Sequence, residues 1–179
     1  RMAALLLTPF YTYFLSLSDF GLWATLQVTI QTLLILFTLG MRETFLRFTK
    51  EYEDHQRLRF LLGATVLIIV LNGLLVSAFC ILFLLPVFRT LLHVANPLPL
   101  LLLTCAAALV QALTMHTMSF YRYANQAARF MSAGLGGAVL LFGLTVLTLY
   151  GLDLGVKGVL YAYIAAYALL FVFVAFDVF

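Results

Sequence analysis

The chain alternates between long apolar runs and short polar segments. The runs cover about 2–15, 20–39, 60–85, 99–120, 130–150 and 156–176. Each of the five later runs can cross a hydrocarbon core as a helix, which takes about 20 apolar residues. Membrane strands instead alternate over roughly ten residues. The pattern therefore predicts an all-α, polytopic transmembrane bundle of six helices that forms a single domain, 1–179.

The first run is too short to span a bilayer by itself. It holds about 14 residues, and Tyr11, Tyr13 and Phe14 stand where a secretory signal would carry small residues. We expect it to be the second part of a first spanning helix whose beginning is missing. The last run also continues to Phe179, so both ends look cut.

Composition and charge agree with a membrane location. Of 179 residues, 65% are apolar and 9% are charged, whereas a soluble domain carries roughly a quarter of charged residues. Seven Lys and Arg residues lie in the segments 41–59 and 121–129, and two lie in the segments that alternate with them. The positive-inside rule makes these two segments cytoplasmic loops. Both termini are then cytoplasmic, and the net charge of +3 reflects topology and not nucleic-acid binding.

The loop 41–59 is predicted to be helical in part. Glu43, Arg47 and Glu51 are spaced by four, so that Arg47 can pair with either acid. Apolar residues such as Phe45 supply a second face, which is typical of an amphipathic helix at the membrane interface. A solvated charged connector is an equal alternative.

No residues form a catalytic or metal-binding pattern, and we expect no enzyme activity and no cofactor. His116 is the histidine at membrane depth, and we interpret it as half of a polar pair between helices. Gly134, Gly136 and Gly137 lie in an apolar run, where small residues allow close helix approach. Asp19 opens the second run and is predicted to be its N-cap.

Polar residues inside the runs are the candidate functional groups, because they are costly in lipid. Gln27 and Gln31 share one helix face. Two interpretations stay open for them and for Gln111, namely hydrogen bonds between helices or the lining of a hydrated cavity. Arg42 and Arg47 follow the second run, where they either bind phosphate through their planar donors or anchor the helix at the interface.

Four segments together resemble a known family. The segments are 15–24 (LSLSDFGLWA), 39–48 (LGMRETFLRF) with Glu51 and Tyr52 behind it, 121–130 (YRYANQAARF) and 155–163 (GVKGVLYAY). They occur in the order found in Wzx-type polysaccharide and O-antigen flippases. These belong to the multidrug/oligosaccharidyl-lipid/polysaccharide exporter (MATE-like) superfamily. Arg42 stands where the family often has an acid, and Lys50 where it often has proline.

The resemblance implies one lobe of a two-lobed, MATE-like transporter in the bacterial inner membrane. Such proteins move an undecaprenyl-diphosphate-linked oligosaccharide, a precursor of lipopolysaccharide O-antigen or a related polysaccharide, between leaflets. Arg42 and Arg47 are then candidates for the diphosphate or the cytoplasmic gate. Gln27, Gln31 and Gln111 are candidates for substrate contact in the cavity wall. The expected partners are membrane lipids, the lipid-linked oligosaccharide and the missing C-terminal lobe.

Two alternatives remain. A drug or cation antiporter of the same superfamily has a similar helix pattern, but Asp19, Asp153 and Asp177 all lie at the ends of runs, which disfavours cation coupling in this lobe. The second alternative is a membrane subunit that scaffolds a polysaccharide synthase and transports nothing. We expect the lobe alone not to transport.

Overall fold

The computed structural model describes residues 9, 11–48, 55–92, 97–152 and 154–178. No strand occurs in these ranges, and residues 11–14 form a short helical stretch. The helices that follow are α1 (Leu17–Thr38), α2 (Met41–Phe48), α3 (His55–Leu92), α4 (Leu98–Thr117), α5 (Ser119–Tyr123), α6 (Ala127–Val146), which continues into a π-helical turn (Leu147–Gly151), and α7 (Gly155–Val178).

The described residues include five stretches that are long and apolar enough to cross a membrane. They are Leu17–Phe45, Leu58–Phe83, Leu98–Tyr123, Ala127–Gly151 and Gly155–Val178. They confirm the all-α bundle and the five later helices of the sequence pattern. The first predicted helix, 2–15, lies mostly outside the described residues.

One predicted helix end and one predicted cap differ from the structure. The run predicted at 60–85 matches the candidate span Leu58–Phe83, but the helix itself does not stop before Pro86 and continues as α3 to Leu92. A proline inside a helix removes one backbone hydrogen-bond donor. At α1 the N-cap is Ser16 and not Asp19. The Ser16 Oγ accepts from the Asp19 amide at 3.1 Å and donates to Asp19 Oδ2 at 2.8 Å.

Helices α1 and α2 are joined by a sharp break. Leu39 and Gly40 both have left-handed backbone angles, with φ of 44° and 71°. The α1 carbonyls near this break have a partner on another helix, since Asn72 Nδ2 of α3 donates to the carbonyls of Leu36 at 2.8 Å and Phe37 at 2.9 Å. The end of α1 is therefore fixed against the middle of α3.

Helix α2 confirms the helix expected within the loop 41–59 and packs into the bundle. Phe45 is fully buried, and its ring lies 5.6 Å from the ring of His116 on α4. This contact excludes a freely solvated connector at α2. Among the described residues, no ion pair joins Arg47 to Glu43, and Glu51 lies outside them.

The core is built around α4, the most buried of the five candidate spans. One apolar cluster surrounds the first part of α4 and includes Leu26, Ile30, Leu101 and Ala108. A second cluster is formed by residues of α2, α3, α5, α6 and α7. Many large apolar side chains on α1, α3, α6 and α7 face outward, as expected for helices whose outer surface contacts lipid tails.

The glycines of α6 only partly follow the expectation of close approach. At Gly137 an added Cβ would lie 2.6 Å from Leu170 Cδ2 of α7, so this residue does bring two helices together. Gly134 and Gly136 have open space at the same position. The α6–α7 contact therefore depends on one of the three glycines.

Candidate functional site

The exposed face of α1 carries two amide side chains near the middle of the helix. The buried face of α1 consists of Trp23, Leu26, Ile30, Leu33 and Phe37. Gln27 and Gln31 lie on another face, where Gln27 is partly exposed and Gln31 is exposed. Within the described part of the chain, neither amide makes a hydrogen bond. We call these two residues the amide pair.

The threonines of α1 are satisfied within their own helix. The Oγ1 atoms of Thr25, Thr29 and Thr32 donate to the carbonyls four residues earlier at 2.9 to 3.0 Å. A hydroxyl bonded in this way can face hydrocarbon at little cost, because its polar hydrogen is already paired. The amide pair has no such partner, and this difference separates it from the other polar residues of α1.

Gln111 lies elsewhere in the bundle. It is buried on α4. One turn further along α4, Thr114 Oγ1 donates to the backbone carbonyl of Tyr167 on α7 at 3.0 Å. The structure thus brings Gln27 and Gln31 together on one surface and leaves Gln111 inside the lobe.

Other polar residues inside the spans also connect helices. His116 Nε2 and Thr65 Oγ1 are 2.7 Å apart and join α4 to α3, which confirms the interpretation of His116 as half of a polar pair. Asn72 joins α3 to α1. These two connections and the Thr114 bond account for polar groups that the sequence alone could assign either to packing or to a cavity.

The two predicted basic loops lie at one end of the bundle. Helix α2 contacts α5 directly, and Phe45, Phe120 and Tyr121 share the second apolar cluster. Arg47 is exposed at this end, while the side chain of Arg42 lies outside the described residues. Arg122 lies over the ring of Phe130, with 5.4 Å between the guanidinium carbon and the ring centroid. We call this region the basic end.

Asp177 at the end of α7 is an acidic residue that contacts these groups. Its Oδ2 accepts from Tyr121 Oη at 2.8 Å and from Arg129 Nη1 at 3.0 Å. From the sequence, Asp177 is only an acid at the end of an apolar run. An acid that ends the last apolar run, with basic residues in the loop before α6, was the available signal for this contact.

The described residues of the site do not form a metal-binding geometry. No three His, Cys, Asp or Glu side chains of the described residues lie close enough together to hold a metal ion. The groups that face outward are instead neutral amides and guanidinium ions. Amides exchange hydrogen bonds with hydroxyl groups, and guanidinium groups bind phosphate.

Comparison with known proteins adds no relative. No protein-family model, no curated protein and no solved structure matches this chain.

Proposed function

We propose that this chain is one lobe of a Wzx-type flippase that moves a lipid-linked oligosaccharide across the bacterial inner membrane. The observation that carries the proposal is the amide pair at the middle of a spanning helix. Transfer of one unpaired amide from water to hydrocarbon costs roughly 4–8 kcal/mol. Two such groups on the outer face of α1 favour a surface that meets water, a polar ligand or another protein segment in place of lipid tails.

The chemistry of the pair suits a sugar. Each amide offers a carbonyl oxygen and an NH2 group, and a sugar hydroxyl can both donate and accept. A neutral pair binds hydroxyls without attracting one particular ion. Arg42 and Arg47 are placed at the basic end in this proposal, where their planar donors would pair with the diphosphate of the lipid carrier. Gln111 keeps only a secondary role, since its contacts are inside the lobe.

The orientation follows from charge. The basic end is cytoplasmic by the positive-inside rule, which puts the start of α1 on the periplasmic side. A second lobe completes the cavity opposite α1 in this proposal. The diphosphate would then enter beside Arg47, and the glycan would lie along Gln27 and Gln31.

The test is flipping of a fluorescent undecaprenyl-diphosphate oligosaccharide by the two-lobed protein in proteoliposomes. We expect the variant Gln27→Leu/Gln31→Leu to lose at least tenfold in rate. The matched control is Thr25→Val/Thr32→Val, which removes two hydroxyls from the same helix that are bonded only within α1, and it should keep its rate. Arg47→Ala should weaken substrate binding.

Two results would contradict the proposal. One is equal flipping by the amide variant and the wild type. The other is no flipping of any lipid-linked glycan, together with copurification of a polysaccharide synthase, which would instead support the scaffold alternative. Transport of a drug coupled to cation entry would favour the antiporter.

A further inference from the structure

One cation of the basic end is held by an acid from which it can separate. Arg129 Nη1 donates to Asp177 Oδ2 at 3.0 Å, and the two side chains are 57% and 37% exposed. The pair joins a single nitrogen to a single oxygen, whereas a guanidinium group carries several N–H donors. Exposed ion pairs of this kind contribute little to stability. Arg129 therefore has donors available for a second anion.

Asp177 keeps a hydrogen-bond donor when Arg129 leaves. The Tyr121 hydroxyl donates to the same Oδ2 atom at 2.8 Å. Tyr121 is almost fully buried, so its ring and not Arg129 fixes its position. A buried acceptor that loses its partner is costly, but Asp177 is partly exposed and retains Tyr121. Exchange of the partner of Arg129 therefore leaves no charge buried and unpaired.

A second guanidinium group lies at the same corner of the bundle. Arg122 on α5 is exposed, and its guanidinium carbon is 5.4 Å from the centroid of the Phe130 ring on α6. The ring covers one face of the guanidinium plane and leaves the N–H donors at the edges of that plane. Within the described ranges, no acid pairs with Arg122. We call Arg122 and Arg129 the guanidinium corner.

The guanidinium corner lies at the ends of two candidate membrane spans. Leu98–Tyr123 ends beside Arg122, and Ala127–Gly151 begins beside Arg129. The polar headgroups of a bilayer lie just outside its hydrocarbon core, at the level of these ends. Large apolar side chains are exposed within two turns of Arg129 and Asp177, namely Met131, Leu135, Phe173 and Phe176. A ligand with an anionic head and apolar tails contacts both kinds of surface, whereas a soluble anion contacts only the cations.

We propose that Arg122 and Arg129 bind the phosphate of an anionic phospholipid at the basic end, and that Asp177 competes with this phosphate for Arg129. Planar guanidinium donors match phosphate oxygens and can bind two of them at once. Lipid binding then separates Arg129 from Asp177, which stays bonded to Tyr121. The site uses neither the amide pair nor Arg47, so it applies equally to a flippase, an antiporter or a scaffold.

The test is photocrosslinking of a lipid to the purified full-length protein in phosphatidylcholine nanodiscs. A small fraction of the lipid is phosphatidylglycerol with a diazirine near the start of one acyl chain, and mass spectrometry locates the crosslinks. We expect about fivefold more crosslinking near Met131 and Phe176 than with the same diazirine on phosphatidylcholine, the preference expected for one Arg near an anionic lipid. Equal crosslinking by the two lipids would overturn the proposal.

Substitution of the two cations locates the site. Arg129→Gln and Arg122→Gln should each lower crosslinking by phosphatidylglycerol about fivefold. The matched control is Lys157→Gln, because Lys157 is exposed at the opposite end of α7, and it should change nothing. If Arg129→Gln does not fold, Arg129→Lys keeps the charge without the planar donors and should still lower the yield. Wild-type crosslinking in the Arg variants would refute the site.

The variant Asp177→Asn separates competition from support. Asparagine still accepts from Tyr121 but carries no charge that attracts Arg129, so crosslinking should rise about two- to fivefold. If Asp177 instead positions Arg129 for the lipid, the yield should fall. A lower or an unchanged yield would therefore refute the competition.

Inorganic phosphate distinguishes a lipid from a soluble source of the same chemistry. Added in large excess and compared with chloride at equal ionic strength, it should leave crosslinking by phosphatidylglycerol unchanged, because it cannot use the apolar surface below the cations. Loss of the crosslink with phosphate but not with chloride would assign the guanidinium corner to a soluble phosphate and overturn the lipid.

Discussion

Tyr121 and Asp177 are 56 residues apart in the chain, and the Tyr121 hydroxyl donates to the Asp177 carboxylate at 2.8 Å. Arg129 donates to the same oxygen. A single carboxylate oxygen therefore joins α5, the first turns of α6 and the end of α7. Tyr121 is almost fully buried in the second apolar cluster, so its ring fixes the position from which the hydroxyl reaches Asp177.

The first prediction concerns this contact. Tyr121→Phe removes the donor and keeps the ring, so it should lower the free energy of unfolding by about 1–2 kcal/mol, as expected for a hydrogen bond to a charged group at a partly exposed site. Tyr161→Phe on α7 is the control, because Tyr161 is about half exposed. The measurement is unfolding of the purified protein in detergent.

A double-mutant cycle with Asp177→Ala checks the pairing itself. The two substitutions should be clearly non-additive, because each one breaks the same bond. Additive effects would show that Tyr121 stabilises the fold through its ring and not through Asp177.

The second prediction concerns Asn72, which donates to two carbonyls at the end of α1. Asn72→Leu leaves both carbonyls without this donor. Side-chain hydrogen bonds within membrane bundles are worth about 0.6 kcal/mol on average and up to about 1.7 kcal/mol, so we expect a loss of about 1–2 kcal/mol for the two together. Leu75→Ala on an exposed face of α3 should cost less, and an equal cost would contradict the assignment.

The third prediction compares two glycines. A Cβ at Gly158 would lie 2.8 Å from Leu154 Cβ and 3.3 Å from the Thr148 carbonyl oxygen, which are atoms near the backbone that cannot move away freely. Gly158→Ala should therefore destabilise the protein by about 1–3 kcal/mol, as overpacking does. Gly134→Ala meets open space and should be neutral or stabilising by up to about 1 kcal/mol. Thermal unfolding of both variants measures the difference in stability. If Gly134→Ala were the more destabilising of the two, the packing described around Gly158 would be refuted.

The fourth prediction concerns orientation. In a background where Cys80 and Cys105 are replaced by alanine, Ser18→Cys and Ala128→Cys each place one thiol at opposite ends of the bundle. Both positions are exposed. A membrane-impermeant maleimide added to intact spheroplasts should label the thiol at position 18 and spare that at 128, whereas lysis should expose both. Labelling of position 128 alone would reverse the proposed topology.

The sequence predicted the helices well because a single requirement, the pairing of backbone hydrogen-bonding groups inside a bilayer, determines them. Apolar runs must be helical in a bilayer, since every backbone group needs an internal partner, and the five later runs match the candidate spans closely. The boundaries were harder. Pro86 predicts a helix end, but α3 continues past it to Leu92, beyond the candidate span Leu58–Phe83.

The sequence could not separate the polar residues by role. Gln31 and Gln111 look alike as glutamines in apolar runs, yet Gln31 is exposed on α1 and Gln111 is buried on α4. The difference depends on which helices are neighbours, and a pattern with period 3.6 does not encode neighbours. The contact of Asp177 with Tyr121 was missed for the same reason.

The left-handed residues between α1 and α2 divide the first candidate span into two separately held pieces. Asn72 holds the end of α1 on α3, whereas Phe45 holds α2 on α4. Any change in the angle between the pieces must then come from the torsions of Leu39 and Gly40. Glycine turns easily through such angles and leucine does not. Backbone rotation at this break is therefore easy at Gly40 and strained at Leu39. Leu39 thus restricts the direction in which the first span can bend.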